Sequence, residues 1–210
     1  RDTYIDQLCD EMIPEIARRN LAEFCDVFIE EGAYTVAEGR RILNAARSAG
    51  LALKVHAEQL THTGGAQLAA ELGAISADHL DHATRADAEA LTQAETVAVL
   101  LPGATFFLGK SDYPNGRQFI EAGATVALST DYNPGSSHTQ NLWLMGTLAC
   151  THCGLSPAQA LWAMTRGAAT AINRQRTKGR VRPDIKADFR VLEATDWEDG
   201  RYLHGHNPGA

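Results

Sequence analysis

The chain has 210 residues, 44% of them hydrophobic, enough to bury one sizeable core. A formal net charge of -7 and a pI near 5.6 argue against a surface built for nucleic acid or anionic membrane. No stretch is long and apolar enough to cross a bilayer, and no signal peptide is visible. The opening "RDTYIDQLCDEM" starts in mid-helix without Met and the tail "YLHGHNPGA" stops abruptly, so both ends read as cut from something longer.

In chain order, Ile5, Leu8, Met12 and Ile16 fall at helical spacing, with a kink or break expected at Pro14. "EFCDVFIEE" reads as a short buried strand. A capping box from Thr35 to Glu38 opens a helix carrying Val36, Ile42, Leu43 and Ala46 and stopping at Gly50. "LALKVHA" is the next strand and "GGAQLAAELG" a helix. The strand "AISADH" precedes a helix from near Thr84, and "TVAVLLP" is a strand followed by the helix "NGRQFIEAG". "ATVALSTD" closes the series. Helices are then expected over residues 139–153 and from Ser156, the N-cap, with Pro157 at the first helical position. "ADFRVLE" reads as a lone edge strand. Five strands alternate with helices, and most are apolar on both faces, which predicts an α/β fold with a parallel sheet.

The ionisable residues fall in a pattern. One strand runs out at Glu30 and Glu31, the next at His56, the next at Asp78 and His79, and the last at Asp131. Carboxyl ends of parallel strands are where a (β/α) barrel gathers its active site. Neutral imidazole binds Zn or Fe, and Asp adds a hard oxygen ligand, so His56 and Asp131 are candidate ligands of one cation. His79 can be a ligand, a proton carrier or packing. His82 belongs to the following turn, and His62, His138 and His152 carry no assignment. Ser129 and Ser136 flank Asp131 without a nucleophile elbow, and Gly64 with Gly65 reads as a helix start rather than an anion site. The four cysteines, Cys9, Cys25, Cys150 and Cys153, sit in apolar or helical stretches and read as reduced thiols in a reducing compartment. Cys150 and Cys153 have the spacing of a metal or redox pair but lack a second pair, and read as small apolar residues of one helix.

Beyond these patterns, "KVHAEQL", "GGAQLAAELGAISADHL", "TVAVLLPGATFFL" and "STDYNPGSS" closely resemble the imidazolonepropionase family of the amidohydrolase superfamily, over a stretch from about Tyr4 to Ile172. The resemblance implies a (β/α)8 TIM-type barrel, represented here by about strands 4–8 over residues 1–175, with the truncated start of a small β domain over residues 176–210. It implies one divalent metal ion, Zn or Fe, held by His56 from the fifth strand and Asp131 from the eighth. His79 ends the sixth strand as the catalytic histidine, with Asp131 as its partner in proton transfer. Gln59 resembles the residue that holds the imidazolone ring, and Asn133, Gly135 and Ser136 resemble the loop that holds substrate and product. The activity implied is opening of the cyclic amide of 4-imidazolone-5-propanoate, a small-molecule substrate, to N-formimidoyl-L-glutamate in histidine degradation. The setting implied is the cytoplasm and a homodimer in the full-length form, with no nucleic acid or membrane partner.

The chain departs from the family in places. The family's other two ligands form a His-x-His pair after the first barrel strand, and no such segment precedes Arg1, so this chain alone is expected to have little activity. "HGH" at His204–His206 imitates that pair but follows the charged stretch "DWEDGRY" and aligns with the family's tail. Ile29 stands where the family often has Cys, and Asp184 replaces a usual Gly. Two rival readings are another cyclic amidase or aminohydrolase of the same superfamily, which would change Gln59 and the 133–136 loop, and an inactive fragment or subunit that binds a partner.

Overall fold

A computed structural model describes residues 1–192 and 196–197. The chain opens with two helices, α1 (Asp2–Gln7) and α2 (Ile13–Arg18), joined through a π turn at Leu8–Met12. Pro14 has no N–H to return to the preceding turn, so the wider turn falls beside the expected kink. Then come β1 (Phe24–Ile29), α3 (Val36–Ser48), β2 (Ala52–Ala57), α4 (Gly65–Glu71) and β3 (Ser76–His79). They are followed by α5 (Arg85–Gln93), β4 (Val97–Leu100), α6 (Pro102–Phe107), α7 (Gly116–Ala122) and β5 (Val126–Leu128). The chain goes on through α8 (Leu142–His152), α9 (Pro157–Trp162), a second π turn (Ala163–Gly167) and α10 (Ala168–Ala171). Among the described residues no helix is long and apolar enough to cross a membrane.

The five strands form one parallel sheet in sequence order, β1 to β5, with helical crossovers, the pattern of a partial (β/α) barrel. Period-two alternation explains the layering of β2. Leu53, Val55 and Ala57 are buried beneath the helices, while Ala52, Lys54 and His56 face the other side. On that other side a second apolar cluster joins Val97, Val99, Leu101 and Ala127 to Ala171 of α10. Lys54 Nζ reaches the Ala171 carbonyl at 3.4 Å.

Caps set the helix starts. Thr35 Oγ1 accepts from the Glu38 N–H at 3.2 Å while Glu38 accepts from the Thr35 N–H at 2.8 Å. Ser156 and Gln159 make the same exchange at the start of α9. The second π turn lies against β5 because Gly167 has no side chain: a Cβ there would sit 2.1 Å from the Val126 carbonyl oxygen.

Two differences from the sequence reading have simple causes. α6 starts at Pro102, where "TVAVLLP" was expected to run on as strand; proline's fixed φ suits the first helical turn. The strand expected over "ADFRVLE" does not form through residues 187–191, which are exposed and irregular, and its last residue lies outside the described residues. Asp184, standing for a glycine, takes φ +64, the conformation glycine adopts freely.

Candidate metal centre

In a parallel sheet in register, strand ends share one rim, and His56 aligns with Asp78 while Ala57 aligns with His79. Asp131 follows the end of β5 on the same rim. The chain breaks its pleat at these points: His79 has φ +80, Leu80 φ +66 and Asp131 φ +51. Left-handed backbone at non-glycine residues costs energy, and such strain collects at functional sites.

The imidazoles of His56 and His79 and the carboxylate of Asp131 offer ligand atoms that all lie within 4.8 Å of one another. The two rings meet edge-on, centroids 5.2 Å apart. Residues 56 and 131 therefore converge, as their positions at the ends of two strands predict, and His79 joins them. A second trio, Asp26, His56 and Asp78, has comparable spacing. Asp78 is already engaged, accepting from Ser76 Oγ at 2.6 Å with Lys54 Nζ at 3.5 Å, so an ammonium occupies the place of a cation there.

Burial sets the protonation of the first trio. It pushes the His79 pKa down to about 3, helped by the nearby His56, so His79 is neutral at physiological pH. Its Nδ1 is buried without a hydrogen-bond partner among the described residues. Burial also lowers the pKa of His56, but the hydrogen bond and charge of Asp26, with Asp78 and Asp131, leave it above its ordinary value. Burial raises Asp131 against the hydroxyl of Ser136 and the charge of His56. Two imidazoles, one with an orphaned nitrogen, and one carboxylate form a donor set that fits a divalent cation of the zinc or iron type.

The amidohydrolase family profile matches residues 27–202. The chain belongs to the amidohydrolase family. It is 45% identical over 206 residues to an imidazolonepropionase of Geobacillus kaustophilus, covering 98% of this chain and 48% of that protein. The chain spans about half the length of the curated relatives it matches. Among solved structures it superposes on a Xaa-Pro dipeptidase with a TM-score of 0.73 at 18% identity, covering 91% of this chain and 54% of that one. An adenosine deaminase from Xanthomonas campestris with bound Zn gives a TM-score of 0.68 at 17% identity, covering 86% and 45%. These two likenesses show the fold.

The loop after β5 is organised by Asn133. Its Oδ1 accepts from the N–H groups of Gly135 and Ser136, both at 2.8 Å, and its Nδ2 donates to the Asp131 carbonyl at 2.6 Å. Ser136 Oγ donates to Asp131 Oδ2 at 3.1 Å, tying the loop to the candidate metal centre. His138 Nε2 is 2.6 Å from the Pro134 carbonyl, and its ring packs on Phe107 with centroids 4.4 Å apart. Gln59 lies half-buried just after β2, and its side chain bonds no other described residue.

Other polar residues of the rim hold the scaffold. Glu30 accepts from the Leu60 N–H at 2.8 Å and from Thr61, fixing the loop that follows Gln59, while Glu31 is exposed. Glu58, fully buried, accepts from the N–H groups of Thr63, Gly64 and Ala66 at the start of α4. The reading above missed Glu58, whose one sequence signal is a carboxylate a few residues before a helix start. His62 pairs with Asp87 at 2.9 Å. None of the four cysteines forms a disulfide, and burial pushes the Cys153 thiol up to about 12, as inert packing requires. His204 and His206 lie outside the described residues.

Proposed function

We propose that the protein is a metal-dependent hydrolase that opens the cyclic amide of 4-imidazolone-5-propanoate to N-formimidoyl-L-glutamate. The observation that carries this reading is the meeting of His56, His79 and Asp131 on one rim. Its likeness to a protein named imidazolonepropionase supports the substrate. His56 and Asp131 would hold one zinc or iron ion, with ligands from outside the described residues completing the set. A divalent ion bound there lowers the pKa of a bound water and polarises a carbonyl.

The chain's own groups account for the rest. His79 is neutral, so it donates a hydrogen bond to the amide carbonyl oxygen rather than a proton. Asp131 accepts the proton of the attacking water and delivers it to the departing ring nitrogen. Asn133 and Ser136 keep Asp131 oriented, while Gln59 and Gly135 face the ring and the propanoate. We assign residues 1–175 to the barrel, whose last described helix ends at Ala171, and residues 176–210 to a second, β-type unit.

The test is metal analysis and a ring-opening assay on the intact protein with His56→Ala and Asp131→Ala. Both variants lose bound metal and turnover by at least a hundredfold, by analogy with loss of a ligand or proton carrier. Turnover unchanged in either variant overturns the assignment. Hydantoins and guanine as alternative substrates separate this activity from other cyclic amidases and aminohydrolases.

A further inference from the structure

His56 is gripped from the side of β1, a strand to which the reading above gives no functional residue. Asp26 lies next to Lys54 across the β1–β2 ladder, and His56 lies one alternation further along the same face. Its carboxylate sits 3.0 Å from His56 Nδ1. Phe28 meets the same ring edge-on, with centroids 6.4 Å apart. The other carboxylate on this face, Asp78, is held by Ser76 and Lys54. Lys54 thereby occupies the competing acceptor, and Asp26 is left to His56.

We infer that Asp26 is the positioning residue of the metal centre, fixing both the rotation and the tautomer of His56. A carboxylate accepts and does not donate, so the hydrogen of a neutral His56 sits on Nδ1. The lone pair then sits on Nε2, the nitrogen that Asp26 leaves unengaged. Imidazoles that bind metals commonly donate their second N–H to a carboxylate, which orients the ring and strengthens the ligand. Asp26 supplies that partner from a neighbouring strand, whose ladder with β2 fixes its backbone. This inference rests on the metal site proposed above and adds a residue to it.

The experiment uses intact protein labelled with nitrogen-15 in histidine, metal-free and at alkaline pH, with Asp26→Ala and Asp26→Asn. In the wild type, the His56 resonances show a protonated Nδ1 and an unprotonated Nε2. Asp26→Ala gives a mixture of tautomers, and Asp26→Asn retains the wild-type form because the amide oxygen still accepts. Zinc competition against a chelator gives about tenfold or greater weakening for Asp26→Ala and near wild-type binding for Asp26→Asn. A wild-type proton on Nε2, a tautomer unmoved in Asp26→Ala, or unaltered zinc affinity in that variant overturns the role. His56→Ala separates the two readings: zinc binding unchanged there removes the metal site itself, and this role of Asp26 with it. The tautomer is read without metal, so its failure alone strikes only the Asp26 pairing.

Discussion

The buried carboxylate of Glu58 offers a direct test of how the site's frame is held. Glu58 has no solvent exposure and sits between β2, which carries His56, and α4. Its oxygens accept from Thr63 N at 2.6 Å, Gly64 N at 3.1 Å and Ala66 N at 2.9 Å, groups at the start of α4 that have no helical partner. Glu58→Ala strands these three donors and leaves a cavity. At roughly 1–3 kcal/mol per stranded buried group, reduced where water enters the cavity, the expected loss is about 3–5 kcal/mol. Glu58→Gln keeps the oxygen that serves Gly64 and Ala66 but turns an amide N–H2 toward Thr63 N–H, at a cost of about 1–2 kcal/mol. Urea unfolding followed by circular dichroism measures both. With a slope of about 2–3 kcal/mol per M for a chain of this size, the alanine variant's midpoint falls by about 1–2 M. A loss below about 1 kcal/mol in Glu58→Ala, or equal losses in the two variants, refutes the argument that donor satisfaction sets the cost.

Two further outcomes follow from packing and burial. Gly167→Ala gains about 1 kcal/mol in helix propensity yet destabilises by about 2 kcal/mol or more, because its Cβ would stand 2.1 Å from the Val126 carbonyl, a backbone atom of β5 that cannot move aside; an unchanged unfolding midpoint counts against the close contact. Burial pushes the Asp81 pKa up to about 7, only partly offset by the Thr105 hydroxyl. Because its folded pKa exceeds the unfolded one, stability is intact below about pH 4 and is lost as pH rises to about 7, by a few kcal/mol at most. Asp81→Asn therefore gains stability relative to wild type between about pH 4 and pH 8, by about 1.5 kcal/mol or more, and parallel unfolding curves across that range rule this out.

Much of the fold was legible because its signals are local. Thr35 with Glu38, Ser156 with Pro157, and Gly50 mark helix ends through hydrogen bonds that span only a few residues. The strands announce themselves as apolar runs buried on both faces, as in "VAVL" and "VAL". α6 escaped because an apolar run that continues through Leu101 into Pro102 has no change of period to mark the switch. "ADFRVLE" shows the opposite problem: its alternation reads as a strand, yet residues 187–191 are irregular and, among its described residues, only Leu192 is in a β-bridge, because alternation gives the facing of side chains and not the pairing partner a strand needs.

The site divides in the same way. His56, His79 and Asp131 were readable because the carboxyl end of a parallel strand is a position that sequence order specifies, whatever the neighbours are. Their supporting groups were not. Asp26 is the single polar residue within the apolar run of β1, and only the register that sets β1 beside β2 brings it to His56 Nδ1. Asp78 shares the strand end with His79, but Lys54 and Ser76 claim it from across and along the sheet. The difference between a ligand and a structural carboxylate is therefore the neighbour that reaches it first, and in a parallel sheet that neighbour comes from another strand, some twenty or thirty residues distant in sequence.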